Sequence, residues 1–372
     1  MRLSPRFSWF LAALLLLSHH ARAYGPIGHQ VVGAIADERL ANSPAGVKLR
    51  SILQGYSLEK AAVIPDEIKG WDTKGVDDPT IFRYSSRPRL DAELAEFWRA
   101  NPPTRDLASP IPNHHWFHYT DVPLLNGQKY ADGKAGRSQW DIVQTMKLCI
   151  AVLKGEQPED NPRKITKGIA VILLAHMLGD IHQPLHVGAM YYDEHGQPTD
   201  PDKTQPAYDH HGGNTVTLNF TAAAAERTGQ AKAKFHGFWD NQAVNLNLPE
   251  VDKELEKEER KEITSEARNE LVMKWAAEEP KDWRMPADLP LEKYAETWAN
   301  QILPVAEEAH ARLEIKVRPV KDAKDRILAT GTASEKPSPD GVAYHDWAAA
   351  VAREQMHKAG WRLADLLEKA LQ

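Results

Sequence analysis

Apolar residues recur at helical spacing along most of the chain, and this pattern predicts a mainly α-helical protein. A helix with one buried face places its apolar residues three or four positions apart. Segments with this spacing are residues 29–40, 140–153, 165–178 and 358–371. Residues 250–277 carry dense mixed charge, which predicts a solvated helix that becomes buried toward its end. Residues 214–220 (NTVTLNF) instead alternate apolar and polar positions, as a half-buried strand does. We therefore expect a helical domain with a small strand or hairpin region near 214–220.

Three segments rich in Pro, Asp and Gly interrupt this pattern. They predict long loops near residues 72–113, 188–211 and 317–341. Loops of that length in a compact domain are either functional or mobile. No Gly/Ser linker, internal repeat or long low-complexity run divides the rest of the chain. We expect residues 24–372 to form a single domain.

The first 23 residues have the pattern of a secretory signal peptide. Arg2 and Arg6 precede an apolar core at residues 9–17, which is too short to span a bilayer comfortably. Ala21-Arg22-Ala23 then offers a cleavage pattern that leaves Tyr24 at the mature N-terminus, and an uncleaved anchor is the alternative. No later stretch is apolar enough to cross a membrane. We expect a secreted or periplasmic protein.

Charge and cysteine content narrow the class of protein. The formal net charge is −6, and loss of the signal peptide, which carries three arginines and no acids, makes it −9. An acidic chain does not bind polyanions through a broad basic surface, although bound divalent cations can reverse the local sign. The single cysteine, Cys149, allows no intramolecular disulfide, and a chain of this size can bury a sufficient core without one.

The segment 175–186, AHMLGDIHQPLH, carries the strongest chemical signal. His176 and Asp180 are four residues apart, so they project from the same face of a helix. Pro184 then breaks the helical pattern just before His186. Proteins that are poor in cysteine bind zinc through such imidazoles and carboxylates. This segment is therefore a candidate metal site that needs further ligands.

Other histidines and aspartates could supply those ligands. His236 and Asp240, in FHGFWDN, repeat the His-x-x-x-Asp spacing of the first pair. The remaining candidates are His29, Asp66, and His118 with Asp121. One such pair arises by chance in many helices, and a lone helical histidine is more often structural. Two pairs together with His186 favour a zinc site.

The sequence resembles the zinc-dependent single-strand-specific nucleases and 3′-nucleotidases of the S-one/P-one type, and more distantly the zinc-dependent phospholipases C. The matching motifs follow one another through most of the mature chain. They are YGPIGH at residues 24–29, IPDEIK at 64–69, HYTD at 118–121, the central segment, GGN at 212–214, FHGFWDN at 235–241 and AGWRLA at 359–364. Their common order is more specific than any one motif.

The resemblance implies a mainly α-helical domain with three zinc ions at the bottom of a cleft. One ion would be held by Asp66, His118, His176 and Asp180. A second would be held by His186, His236 and Asp240. The third would use the α-amino group and carbonyl of Tyr24, with His29 and a shared Asp180. Signal cleavage before Tyr24 would create that amine, which can lose its proton to a metal at modest cost.

The resemblance also implies roles in catalysis and substrate binding. A water activated by two zinc ions would attack the phosphate, with Asp66 orienting it. Lys69 stands where the family often has an arginine, and a lysine neutralises charge without forming a bidentate fork. The positions matching nucleotide-binding residues are Tyr119, Asp121, Asn214 and Asn241.

Two of these assignments have alternatives. Tyr119 would stack an unpaired base, or it packs in the core. Asp121 would bind the nucleotide, or it supports a ligand histidine. For His182 we expect a structural role. Surface positions are expected for the remaining paired histidines, which are His114, His115, His210 and His211.

The sequence thus predicts a secreted zinc-dependent endonuclease that hydrolyses single-stranded DNA and RNA to 5′-nucleotides and also acts on 3′-nucleotides. No protein partner is implied. The loop at 188–211 leaves directly after His186, so we expect it to border the cleft. A phospholipase C acting on lipid head groups remains an alternative, although its last carboxylate ligand is typically Glu where this chain has Asp240. A non-catalytic zinc-binding protein is the other alternative, which the full ligand set and Asp66 oppose.

Overall fold

The computed structural model describes residues 24–103, 112–252 and 254–372, so the predicted signal peptide lies outside the described residues. The described secondary structure is mainly α-helical, as predicted. Its helices are α1 Pro26–Leu40, α2 Pro44–Ile52, α3 Leu58–Ala61, α4 Ile64–Glu67, α5 Pro88–Ala100, α6 Ile142–Leu153, α7 Lys167–Asp180, α8 Ala222–Thr228, α9 Phe235–Gly237, α10 Ala243–Asn245, α11 Lys257–Ala277, α12 Tyr294–Ala311 and α13 Tyr344–Ala370. Short 3₁₀ turns occupy Ile68–Thr73, Trp116–His118, Pro184–His186 and Leu291–Lys293, and Phe238–Gln242 forms a π-helical turn.

The helices predicted from apolar spacing are confirmed, with two shifts of boundary. Helices α1, α6 and α7 match the predicted segments closely. Helix α11 begins later than predicted, at Lys257, whereas α13 begins much earlier, at Tyr344. The first half of α13 is rich in alanine, which favours helix strongly without giving a sharp apolar stripe. None of the helices in the described ranges combines the length and apolarity that a membrane span requires.

Helix α7 lies at the centre of the core. Thr166 caps its start, because the Thr166 hydroxyl accepts a hydrogen bond from the Ile169 amide at 3.2 Å. Every residue from Gly168 to Asp180 is buried, as expected for a helix that is apolar on all sides. It packs against α1, α6 and α13. The polar groups at its C-terminal end are therefore removed from water.

Close approach of α1 and α13 completes this core. A Cβ atom at Gly360 would lie 2.6 Å from Cβ of Ile35, so α13 can contact α1 here only through a glycine. The contact holds α1, which carries His29 in its first turn, against α13.

The strands form three small sheets beside the helical core. Their bounds are β1 Val122–Pro123, β2 Gly188–Ala189, β3 Tyr191–Tyr192, β4 Tyr208–Asp209, β5 Val216–Asn219, β6 Lys232–Lys234, β7 Leu313–Lys321 and β8 Ile327–Glu335. Strand β1 pairs with β2 in parallel, and β3 pairs with β4 in antiparallel. The largest sheet has the order β6-β5-β8-β7, with β5 and β8 parallel. The predicted strand near 214–220 is confirmed as β5.

The loop predictions are wrong for large parts of 72–113 and 317–341, and for three two-residue strands in 188–211. Helix α5 lies within 72–113, strands β2, β3 and β4 lie within 188–211, and the β7–β8 hairpin covers most of 317–341. Pro319 obscures the strand pattern of β7, since proline is rare inside sheets. It is tolerated because β7 is an edge strand, with one side free of a partner.

Candidate metal centre

Seven separate segments bring the predicted ligands together around the end of α7. His29 lies on α1, Asp66 on α4, and His176 and Asp180 on α7. The 3₁₀ turns carry His118 and His186, α9 carries His236, and the π-helical turn carries Asp240. Three groups have all their ligand atoms within 4.8 Å of one another, and every member is buried. They are His29, His176 and Asp180; Asp66, His118 and His176; and His186, His236 and Asp240.

Hydrogen bonds to backbone carbonyls fix the proton position on three of these imidazoles. The Nδ1 atom of His176 donates to Ala62 O at 2.6 Å, that of His186 to His118 O at 2.5 Å and that of His236 to Gly212 O at 2.6 Å. A carbonyl oxygen only accepts, so Nδ1 holds the proton and Nε2 presents a lone pair. This arrangement is typical of histidines that bind metals.

Asp180 links two of the groups through its two oxygens. Its Oδ1 lies 3.4 Å from His29 Nε2. Its Oδ2 lies 3.1 Å from His118 Nδ1 and 3.2 Å from His176 Nε2. One carboxylate therefore presents one oxygen to His29 and the other to His118 and His176, as a ligand that bridges two cations does.

In the group around His186, the nitrogen atoms that face each other also carry no protons. His186 Nε2 and His236 Nε2 lie 3.0 Å apart, and both nitrogens carry lone pairs because both Nδ1 atoms hold the protons. Asp240 Oδ2 lies 3.5 Å from His236 Nε2. The amide of Gln183 donates to the other oxygen, Oδ1, at 2.9 Å and so orients the carboxylate. Two facing lone pairs repel each other unless a cation lies between them.

The donor set therefore fits metal ions. His29 Nε2, Asp180 Oδ1 and Asp240 Oδ2 are buried without a hydrogen-bond partner, which is costly in a protein interior. Burial raises the pKa of the Asp180 and Asp240 carboxyl groups and lowers that of His176 to about 4. The imidazoles are consequently neutral at pH 7 and free to bind a metal. Divalent cations would satisfy all of these atoms at once.

Asp66 and Lys69 form an ion pair at the edge of this cluster. Lys69 Nζ lies 2.7 Å from Asp66 Oδ1, three residues away along the turn. Burial would raise the pKa of the Asp66 carboxyl, but Lys69 and His176 outweigh it and hold that pKa below its usual range. Asp66 is therefore ionised at neutral pH.

The sequence of these groups along the chain agrees with a known family. The family model described as S1/P1 Nuclease matches residues 24–372, which is the whole chain beyond the predicted signal peptide. The chain belongs to the S1/P1 nuclease family. It is thus a hydrolase that acts on nucleic acids, as the resemblance of its motifs indicated. A search of curated proteins gave no significant match.

Tyr24 and Gly25, where the match to the S1/P1 nuclease family begins, lie beside the turn that carries Asp240. The Gly25 amide donates to Asp240 O at 2.6 Å, and the buried Tyr24 ring donates its hydroxyl to His182 O at 3.0 Å. Asn241 is exposed and packs on Gly25, where a Cβ atom would come within 2.5 Å of its Oδ1. The main chain of Tyr24 is thereby held close to a ligand-bearing turn.

The other predicted nucleotide-binding residues of this nuclease gather around His211. The half-buried Tyr119 ring stands edge-on to the His211 ring, with centroids 6.5 Å apart. Asn214 Nδ2 donates to His211 O at 2.9 Å. Burial, and then the charge of Asp209, raise the pKa of the Asp121 carboxyl well above its ordinary value. The end of the 188–211 segment therefore lies beside Tyr119.

Two of the histidines expected on the surface are in fact buried, and the prediction is wrong for His114 and His210. The Gly213 amide donates to His210 Nδ1, so His210 Nε2 carries the proton and donates to His310 Nε2 at 2.8 Å. His182 is structural, as expected, since its Nε2 accepts from Arg362 Nη1 at 2.8 Å. The only sequence signal for His210 is its position just before the GGN motif.

Proposed function

We propose that this S1/P1 nuclease is a secreted enzyme with three zinc ions. It hydrolyses single-stranded DNA and RNA to 5′-nucleotides and removes phosphate from 3′-nucleotides. The observation that carries the proposal is the arrangement of Asp180, whose two oxygens face two different sets of imidazoles. Cleavage of the signal peptide before Tyr24 leaves one catalytic domain over residues 24–372.

The ligands divide among three sites. Asp66, His118, His176 and Asp180 would hold the first zinc, and His186, His236 and Asp240 would hold the second. His29 and Asp180, together with the amine and carbonyl of Tyr24, would hold the third. Bound zinc supplies a Lewis acid for the phosphoryl group and activates water at neutral pH.

Residues of the chain then control the geometry of hydrolysis. The ionised Asp66 accepts a hydrogen bond from the attacking water and directs it at phosphorus. Lys69, fixed against Asp66 at 2.7 Å, lies where its ammonium group can offset the charge that develops on the phosphoryl oxygens. Gln183 keeps Asp240 oriented through its amide.

Recognition of single strands depends on an unpaired base reaching Tyr119. An aromatic ring stacks on any base, but a base in a duplex is already stacked and paired. Tyr119 follows the ligand His118 directly, so a base on its ring would leave the adjoining phosphate at the metals. Asp121, Asn214 and Asn241 offer polar groups to the nucleotide.

The proposal is tested with the secreted protein and four substrates: single-stranded DNA, the matching duplex, a 3′-mononucleotide and phosphatidylcholine vesicles. We expect cleavage of the single strand and the mononucleotide, slow cleavage of the duplex and none of the lipid. Preferential hydrolysis of phosphatidylcholine would instead identify a phospholipase C. Bound zinc without phosphodiester hydrolysis would refute catalysis. Mass spectrometry of the secreted chain should give the mass of a chain that begins at Tyr24.

A further inference from the structure

A second group of metal-binding side chains lies apart from the cluster around Asp180. His114 Nε2 lies 2.9 Å from Asp72 Oδ1, and His115 Nε2 lies 2.5 Å from Asp72 Oδ2. The ligand atoms of all three residues lie within 4.8 Å of one another. None of the three belongs to the proposed catalytic zinc sites.

The chemistry of this group selects the kind of ligand. Two imidazole nitrogens with one carboxylate suit zinc and other first-row divalent metals, whereas magnesium and calcium prefer oxygen ligands alone. The two nitrogens approach different oxygens of Asp72, which is the geometry that a bidentate carboxylate offers. We propose that Asp72, His114 and His115 bind an additional divalent transition-metal ion, for which zinc is the best fit.

The site is both preformed and open to entry. Trp98 Nε1 donates to Asp72 Oδ1 at 2.9 Å, and Asn113 Oδ1 accepts from the His115 amide at 2.8 Å, so carboxylate and backbone are already fixed. The His114 side chain is only 1% exposed, but those of Asp72 and His115 are 18% and 31% exposed. An ion can reach this group from solvent and would keep positions for water.

The charges of Asp72 and His114 are compatible with a bound cation. Burial lowers the pKa of His114 to about 4, so the ring is neutral at pH 7. Burial alone would raise the pKa of the Asp72 carboxyl, but hydrogen bonds from His114 and His115 hold it well below its usual range. Both imidazoles donate their Nε2 protons to Asp72, so a metal bound through these nitrogens would release each proton or move it to Nδ1.

The position of the site assigns it a structural role. Asp72 lies on the turn Ile68–Thr73, which directly follows the helix that carries Asp66, and His115 lies three residues before His118. An ion here would tie together two segments that each supply a ligand to the catalytic cluster. It would also close the long segment between residues 72 and 114, and a cross-link is worth most across a long segment.

The test is zinc content of the full-length secreted protein, measured by mass spectrometry of the metal after dialysis against metal-free buffer. We expect wild type to hold one zinc more per chain than Asp72→Asn or His115→Ala. The exposed residues Asp77 and His195 provide matched controls, and Asp77→Asn and His195→Ala should keep the wild-type content. Equal zinc in wild type and both site variants would overturn the proposal.

A second measurement does not depend on the variants folding. Crystals of wild type measured at the zinc absorption edge should show an anomalous peak between Asp72 and His115. Absence of a peak there would overturn the proposal and leave Asp72 as a hydrogen-bond acceptor for two protonated Nε2 atoms. That outcome would not affect the nuclease proposal, which is tested at Asp180 by substrate hydrolysis.

Discussion

Replacing Asp180 with asparagine should cost the enzyme two zinc ions, whereas replacing His186 with alanine should weaken one. The reason is that Asp180 Oδ1 lies 3.4 Å from His29, while Oδ2 lies 3.1 and 3.2 Å from His118 and His176. Asparagine keeps the shape of the side chain but provides only one uncharged oxygen. His186 Nε2 faces only the group that contains His236 and Asp240.

The expected size of the effect follows from linkage. A ligand present at 100 times its dissociation constant stabilises the folded state by about 2.7 kcal/mol. Under these conditions Asp180→Asn should lose about 5 kcal/mol of zinc-dependent stability, and His186→Ala about half of that. Loss of metal-ion catalysis costs several kcal/mol in the transition state, so Asp180→Asn should hydrolyse single-stranded DNA at least about 10³-fold more slowly.

The assay combines zinc content, thermal unfolding with zinc or with EDTA, and hydrolysis of single-stranded DNA. In EDTA the sign of the stability difference should reverse. Without metal Asp180 is a buried carboxyl group with a raised pKa and with an oxygen that has no partner, and asparagine removes the cost of burying that group in its ionised form. Loss of only one zinc from Asp180→Asn would refute the bridging role. Loss of stability in EDTA equal to that in zinc would show that the residue acts through packing alone.

Three further predictions concern other parts of the molecule. Lys69→Met should lower kcat/KM about 10- to 100-fold, the value of a hydrogen bond to a charged group, while Lys69→Arg should retain activity. Tyr119→Ala should raise KM for single-stranded substrates, because stacking of a base on the ring is worth about 1–3 kcal/mol per base. Tyr119→Phe keeps the ring and should not raise KM. Equal KM in both variants would show that the ring packs in the core. At pH 7 His310→Leu should cost about 1–3 kcal/mol of unfolding free energy, since it leaves the His210 Nε2 proton without an acceptor. Burial lowers the pKa of His310 to about 4, so the unfolded chain binds a proton that the folded chain does not bind between pH 6.5 and 4. Over this range the free energy of unfolding of wild type should fall by about 3 kcal/mol more than that of the variant. Denaturant titrations measure this difference, with His195→Ala as control.

Local sequence patterns were sufficient to predict the helical core and to identify the candidate ligands. The apolar periods of α1, α6 and α7 arise from burial of helix faces, which is a property of neighbouring residues. The spacing of His176 and Asp180 likewise places both on one helix face before any tertiary contact is known. Resemblance of the ordered motifs to the S1/P1 nucleases added Tyr24 and Lys69, because no local pattern shows that these residues lie near the ligands.

The features that local patterns did not predict depend on contacts between segments that are distant in the sequence. Strand β7 became recognisable only through its pairing with β8 at the sheet edge, because Pro319 conceals its local pattern. The buried His210 is hydrogen-bonded to His310, which lies 100 positions away, and Asp72 is hydrogen-bonded to His114, which lies 42 positions away.

The sequence by itself determined which residues can donate to a metal and which helices carry several of them. The tertiary structure alone decided that Asp180 divides its oxygens between two groups and that Asp72 has imidazole partners. The physical reason is that donor chemistry belongs to each side chain. Coordination requires several donors within a few ångströms, and only the packing of α7 against the segments around it brings them to that distance.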